Sequence, residues 1–402
     1  MAGAIYQLKV RGPQDLFLTG KPVYSFIKQV YKRHVNFATQ LIELQSTNTV
    51  DFGKTIEFNI PRKADYLHKV SFTFTLPALV STSGTYAGWT NSIGHAIIDY
   101  VEISIGDQVI TRHEGLYLEI LNELTHTIIN TDSNAKLLGK YPHLKSLESN
   151  ALVESVYEVP LQFWFCTGIG SSLPLIQLQH HSVKITVKLN DFDKCIVYDG
   201  NTPPNRVSIK EGSVLAEYIY MDETERLKLK SASSTFLITQ NQLNTENVKF
   251  NNSKVLLDFN HPCSELLFVL RAKDNEDNND WFNFSKRNTS VFTSLVPLIT
   301  HAELTLDGNK RVEKTDERRL RVHNNYRYHS NPTDKHIYSI PLSNEPEKWY
   351  PSGSMNFSSV DQAELYLHTQ PNLSSPITAY IFARNFNIIY IEKGMIQLGF
   401  ST

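Results

Sequence analysis

Polar and apolar residues alternate along much of the chain. In KVSFTFTL, Val70, Phe72, Phe74 and Leu76 share one face while Ser71, Thr73 and Thr75 share the other, the period of two that marks a strand with one buried side. Ile56, Phe58 and Ile60 repeat the pattern, as do Val101, Ile103 and Ile105, and Val183, Ile185, Val187 and Leu189 set against Lys184, Thr186 and Lys188. VLLDF from Val255, LLFVL from Leu266, AELTL from Ala302 and NIIYI from Asn387 are further β-rich runs bounded by Asn, Asp, Gly or Pro. Helical spacing is scarce. LYLEILNELTHT places Leu116, Ile120, Leu121 and Leu124 on one face, and SFIKQVYKRH brings Phe26, Ile27 and Val30 together with Lys28, Lys32 and Arg33 outside. Strands separated by polar turns, with few helices between them, predict antiparallel sandwiches rather than parallel βαβ units.

The chain has 402 residues, room for two domains of about 200 residues each. DGNTPPNRVSIKEGSV, with Gly, Asn and paired Pro, places the boundary near 200–216. The halves have similar texture but no visible sequence repeat, so an internal duplication is left open. Lys+Arg 39 against Asp+Glu 41 gives a formal net charge of -2, which provides no cationic field for nucleic acid or anionic lipid. Cys166, Cys195 and Cys263 are odd in number and far apart, which argues against a disulfide framework or a zinc site and for a reducing compartment. MAGAIYQLKVRGPQDLF lacks the apolar core of a signal peptide, and no apolar run approaches membrane-spanning length.

Chemical motifs fail one by one. Gly53-Lys54-Thr55 ends like a phosphate-binding loop, but Asn48 stands at its first glycine and a strand pattern follows. Asp274, Glu276, Asn278 and Asp280 alternate as in a calcium loop, but Asn279 replaces the turn glycine and Ser285 the bidentate Glu. GSSLP from Gly170 breaks the serine-hydrolase elbow, and His180 and His181 point to opposite faces of an extended strand. Asp191 and Asp193 share a face at a strand end and could serve as an acid/base pair, although turn formation is the commoner use of such a pair. Asn309–His329 gathers Arg318, Arg319 and Arg321 near Tyr326 and Tyr328, but Glu313, Asp316 and Glu317 interrupt it, and the segment is expected at a subunit contact. Asn-x-Ser/Thr sequons begin at Asn251, Asn283, Asn288, Asn356 and Asn372, candidate glycosylation positions only if the chain meets a glycosylating compartment.

Several longer stretches resemble one family, the major capsid proteins of nucleocytoplasmic large DNA viruses of the irido-, phycodna- and asfar-like groups. GPQDLFLTGKPVYSFIKQVYKRHVNFA is similar to that family's N-terminal arm, WTNSIGHAIIDYVEISIGDQVITRHEGLYLEILNEL to its Gly-His strand, turn and helix, and EYIYMDETERLKL to the opening of its second half. YPSGSMNFSSVDQAEL and ARNFNIIYIEKGMIQLGFS resemble its Pro-Ser-Gly-x-x-Asn-Phe-Ser motif and closing strand. Asp107, where the family has a second turn glycine, and Pro13 depart from the pattern.

The resemblance implies an all-β chain of two consecutive eight-stranded antiparallel jelly-roll β-sandwiches, a double jelly roll with few short helices. Residues 1–40 would be an arm with a short helix, 41–212 the first jelly roll and 213–402 the second. It implies a homotrimeric, pseudo-hexagonal capsomer tiling an icosahedral shell, with neighbouring capsomers, minor capsid and penton proteins and an internal membrane surface as partners. It further implies no direct contact with nucleic acid, no cofactor and no catalysis, a place in the virion, and manufacture in the host cytoplasm. Gln14, Asp15, Phe26, Tyr31, Lys32, Arg33 and His34 become the candidate assembly arm, its rings packed beneath the capsomer. Two other readings compete: a jelly-roll carbohydrate-binding module using Trp281 and Trp349, and a sandwich hydrolase using Asp191 and Asp193.

Overall fold

The computed structural model describes residues 3–81, 86–126, 131–141, 151–199, 201–249, 252–286, 296–371, 373 and 375–400. Residues 1–37 and 38–402 are two separate units. In the first, α1 (Gly3–Lys9) and α2 (Asp15–Thr19) precede a stretch without regular structure.

The second unit opens with β1 (Phe37–Gln45), β2 (Thr55–Ile60), β3 (Tyr66–Leu76) and β4 (Ala87–Trp89). Then come α3 (Ile93–Ala96), β5 (Ile98–Ile105), β6 (Gln108–Glu114), α4 (Gly115–Thr125) and α5 (Thr131–Leu138). β7 (Ser155–Pro160), β8 (Val183–Leu189), β9 (Ile196–Tyr198) and β10 (Glu211–Met221) complete this half. Its strands form two four-stranded sheets, β1-β10-β3-β7 and β2-β8-β5-β6, with β4 paired to β9. The predicted alternation holds: Ile56, Phe58, Val70, Phe72, Phe74, Val101, Ile103, Ile185 and Val187 all turn into one core between the two sheets.

After α6 (Glu223–Ser231), the second half begins with β11 (Ser234–Val248), β12 (Asn252–Leu257), β13 (Pro262–Ala272), α7 (Lys273–Glu276), β14 (Ile299–Leu306) and β15 (Asn309–Asp316). A π-helical turn, Arg319–His323, runs into α8 (Asn324–Tyr328). β16 (Tyr338–Pro341), β17 (Met355–Asn356), β18 (Ala363–Thr369), β19 (Ile377–Glu392) and β20 (Met395–Leu398) follow. The main sheets are β11-β19-β13-β16, to which β17 and β20 add, and β12-β18-β14-β15. The same strand order, in the same sequence, is thus built twice, which answers the open question of internal duplication at the level of connectivity. The fold is a double jelly roll.

β1 begins at Phe37, within the segment assigned to the arm, and β10 runs through 212/213 while hydrogen-bonded to β3. EYIYM therefore closes the first set of strands instead of opening the second, and the strands change over after Met221. The two equivalent hairpins turn on Gly106-Asp107 and Asp307-Gly308, every one of these residues at positive φ, as a two-residue turn between twisted strands requires. Asp107, at φ 65, tolerates the left-handed region, so replacement of a glycine there leaves the hairpin intact.

Candidate assembly surfaces

The arm is built from local contacts. Asp15 accepts a hydrogen bond from the Gly12 backbone N–H (2.8 Å), and its own carbonyl accepts from the Thr19 hydroxyl (2.8 Å), which closes the short α2 just after Gln14. The helix expected over SFIKQVYKRH is absent: residues 26 and 27 turn and the chain continues without regular structure to Asn36. Pro22 with the β-branched Val23, Ile27, Val30 and Val35 cannot meet the cost of helix nucleation in so short a segment. Phe26 is 95% and Tyr31 76% exposed, and Lys32, Arg33 and His34 are exposed beside them. Tyr24 meets Phe26 edge to face at 5.1 Å, and His34 Nδ1 lies 2.8 Å from the Val35 carbonyl oxygen.

The second surface lies where the two sandwiches meet. α4 turns Tyr117, Ile120, Leu121 and Leu124 toward Leu267, Val269, Phe282, Ile337 and Phe382, and the rings of Tyr117 and Phe382 are 5.1 Å apart. That explains LLFVL, whose strand β13 is buried on both sides: Leu266, Phe268 and Leu270 face the second core, Leu267 and Val269 face α4. On the polar side of α4, the fully buried Glu119 accepts from Lys335 Nζ (2.6 Å) and Ser92 Oγ (3.2 Å), and lies 2.6 Å from His95 Nδ1 and 3.2 Å from Lys140 Nζ. Glu123 accepts from Lys140 (2.7 Å) and Thr333 (3.0 Å), and its backbone carbonyl accepts from Asn331 (2.8 Å). Burial alone would raise the Glu119 carboxyl, but the two ammoniums and His95 hold it well below the ordinary range. Burial pushes His95 down, opposed by Glu119. Lys335 is held charged by Glu119 and Glu123 against its own desolvation.

Three sequence candidates converge at this junction without forming the sites considered for them. Asn279, from the supposed calcium loop, donates to the carbonyls of Asp193 (2.6 Å) and Ile196 (2.8 Å), and Trp281 Nε1 donates to that of Lys194 (2.7 Å). Asp191 precedes and Asp193 lies within a 3₁₀ turn, Phe192–Lys194, and backbone oxygens of this turn and of Ile196 just after it serve as the stitching points. Trp281 is thereby spent on holding the halves together, which weakens the carbohydrate-binding reading, while Trp349 stays exposed. Arg271 is sandwiched near Trp281 and Tyr380 beside an open cleft of about 300 Å³.

The remaining candidates are scattered. Gly53 donates its N–H to the Asn190 carbonyl (3.0 Å) and accepts from Lys188 Nζ (2.7 Å), so the loop is part of the sheet edge. The His181 ring lies against Gly106, and its Nδ1 accepts from the Ile396 N–H (3.3 Å). Arg321 pairs with Glu317 (2.6 Å), while Arg318, Arg319, His323, Tyr326 and Arg327 are exposed. Of the sequons, Asn283 is half-buried, donates to Asp280 (2.8 Å) and accepts from a buried Ser285 (2.7 Å), and Asn356 is exposed and caps a 3₁₀ turn through the Ser358 N–H. Asn251, Asn288 and Asn372 lie outside the described residues. Sequence reading missed the Glu119 cluster entirely, since charged residues far apart in the chain give no periodic signal.

Residues 25–222 match the family described as major capsid protein N-terminus, and 225–397 the family described as large eukaryotic DNA virus major capsid protein. The chain is 31% identical to the major capsid protein of Pyramimonas orientalis virus and 26% identical to that of Paramecium bursaria Chlorella virus 1, in each case over 100% of both chains. Among solved structures it is similar to the PBCV-1 virus capsid protein, with a TM-score of 0.81 at 22% identity over 94% of this chain and 100% of the other. The Faustovirus major capsid protein gives 0.75 at 11% identity over 97% and 96%.

Proposed function

The chain belongs to the major capsid proteins of large eukaryotic DNA viruses, a component of the virion shell, and from that premise we propose that three copies close into a capsomer with a pseudo-sixfold outline. The observation that carries this reading is the repeated connectivity: each chain supplies two similar wedges, so three chains supply six. Capsomers then tile an icosahedral shell through their flanks. The chain acts through surfaces and not through catalysis, with no cofactor and no direct contact with the genome.

In the same reading residues 3–36 form an assembly arm. Its exposed Phe26 and Tyr31 are covered only when copies or minor capsid and penton proteins join, and Lys32 and Arg33 face those partners or an internal membrane surface. Assembly takes place in the host cytoplasm. Light scattering on purified protein, with negative-stain imaging of the same peak, tests the capsomer: a species of three times 45.9 kDa with a hexagonal outline is expected. A monomer at every concentration overturns it. For the arm, deleting residues 1–36 spares β1 and should leave a folded β-rich body that fails to build shells. Normal shells from that truncated chain refute the arm's role.

A further inference from the structure

The two sandwiches share one connectivity and differ in what covers it. Within one chain, the edge made by β6 and α4 lies on the outward face of β11-β19-β13-β16. Tyr117 meets Phe382 there, Gln240 donates to the Ile110 carbonyl, and Asn241 to Glu114. The hairpin registers align the halves: His113 stands opposite Val101 and Thr315 opposite Ala302, each four residues before its hairpin's first strand ends. Counting onward, buried Leu118 matches buried Leu320, while buried Tyr117, Ile120 and Leu124 match Arg319, Val322 and Tyr326. These last three are exposed, Tyr326 by 76%.

The face that would receive them is exposed along its two edge strands, while its centre carries the small or half-buried Ser71, Thr73 and Leu215. On β1-β10-β3-β7 the side chains that turn away from the core include Leu41 (62% exposed) and Val156 (64%), with Glu43 and Glu158 in the same outward rows. An edge carrying Arg318, Arg319 and Arg327 around Val322 and Tyr326 thus has its complement in charge and in apolar contact on the other half of the molecule.

We propose that β15 and Arg319–Tyr328 of one copy dock on the outward face of β1-β10-β3-β7 of a second copy, repeating between chains the contact that β6 and α4 make within one. This contact is heterologous, and three of them close a ring. The inference rests on the trimeric reading above and assigns it surfaces.

Light scattering and hydroxyl-radical footprinting on the full chain test it. Arg319→Glu with Arg327→Glu should raise the concentration needed for trimers on the order of a hundredfold, and adding Glu43→Arg with Glu158→Arg should recover most of that loss. In unmodified trimers Tyr326 should react far more slowly than in the dissociated chain, a readout that needs no variant to fold. Trimers whose Tyr326 stays fully reactive, or an Arg319→Glu/Arg327→Glu chain that assembles like the parent, overturn the docking surface while leaving the trimer standing. A parent chain that never trimerises removes the trimeric reading, and this inference with it.

Discussion

α4 and the helical stretch Arg319–Tyr328 occupy the same place in two copies of one fold, yet one is apolar and buried and the other cationic and exposed. The faces differ in the same sense: the outward side of β13 and β19 carries Leu267, Val269 and Phe382, whereas that of β3 and β10 carries Ser71, Thr73, Ser213 and Leu215. The difference teaches when each contact forms. An intrachain contact is made as the chain folds and never has to survive in water, so it can use aromatic rings and a buried ion cluster. A contact between copies must stay soluble until its partner arrives, which favours charge and isolated apolar side chains over a continuous apolar patch.

The comparison breaks most severely at Glu119. Glu119→Ala would leave the half-buried Lys335 and Lys140 with Glu123 as their only carboxylate among the described residues, and should cost about 3–5 kcal/mol in urea unfolding. By count its counterpart is Arg321, a half-buried side chain paired with the buried Glu317, and Glu317→Gln, which keeps a hydrogen-bonding side chain in place, should cost only about 1 kcal/mol. Equal losses at the two sites would mean that the junction is no more dependent on its charges than the exposed edge. Next comes Tyr117→Ala, which empties an aromatic site against Phe382 and should cost about 3–4 kcal/mol.

Acid distinguishes the halves by a smaller amount. His113 is packed against the rings of Tyr117 and Phe163, and burial, with Arg384 nearby, lowers its pKa to about 3. The unfolded chain takes up this proton near the ordinary histidine value of 6.5 while the folded one refuses it. Stability is therefore lost as pH falls from 6.5 toward 3, by about 2 kcal/mol at pH 5. His113→Gln should flatten that part of the profile. Its counterpart Thr315 does not titrate, so Thr315→Ala should leave the slope unchanged. Glu119, held low by its lysines, adds a separate loss that begins as pH falls into the ordinary carboxylate range, where the unfolded chain takes up the proton, and continues below it.

Much of this architecture was legible because one-sided burial writes itself as alternation. β2, β3, β5 and β8 alternate as the core between their sheets demands, and the leucines of α4 keep helical spacing. Where both faces are buried, as in β13, the run is continuously apolar and its second partner cannot be inferred. The arm misled for the opposite reason: Phe26, Ile27 and Val30 have helical spacing, but spacing alone does not sustain a helix in a short segment rich in β-branched residues. The duplication was hidden because only inward residues are constrained alike, while outward ones answer to different neighbours, as Tyr117 and Arg319 do. Lys335 and Glu119 are 216 positions apart, a separation at which two charged residues read as solvated surface.

The smallest expected effect on stability is the sharpest test of the comparison. Tyr326→Ala removes a ring that is mostly in water and that caps no helix and fills no core, so the isolated chain should change by no more than about 0.5 kcal/mol. If Tyr326 is to the neighbouring copy what Leu124 is to the second sandwich, the same change should still weaken assembly about tenfold, because a ring that contributes little to folding becomes a buried anchor on association. A loss of fold stability comparable to that of Tyr117→Ala would instead place Tyr326 within a core. Unaltered stability together with unaltered assembly would reduce the structural equivalence of the two edges to one of backbone connectivity alone.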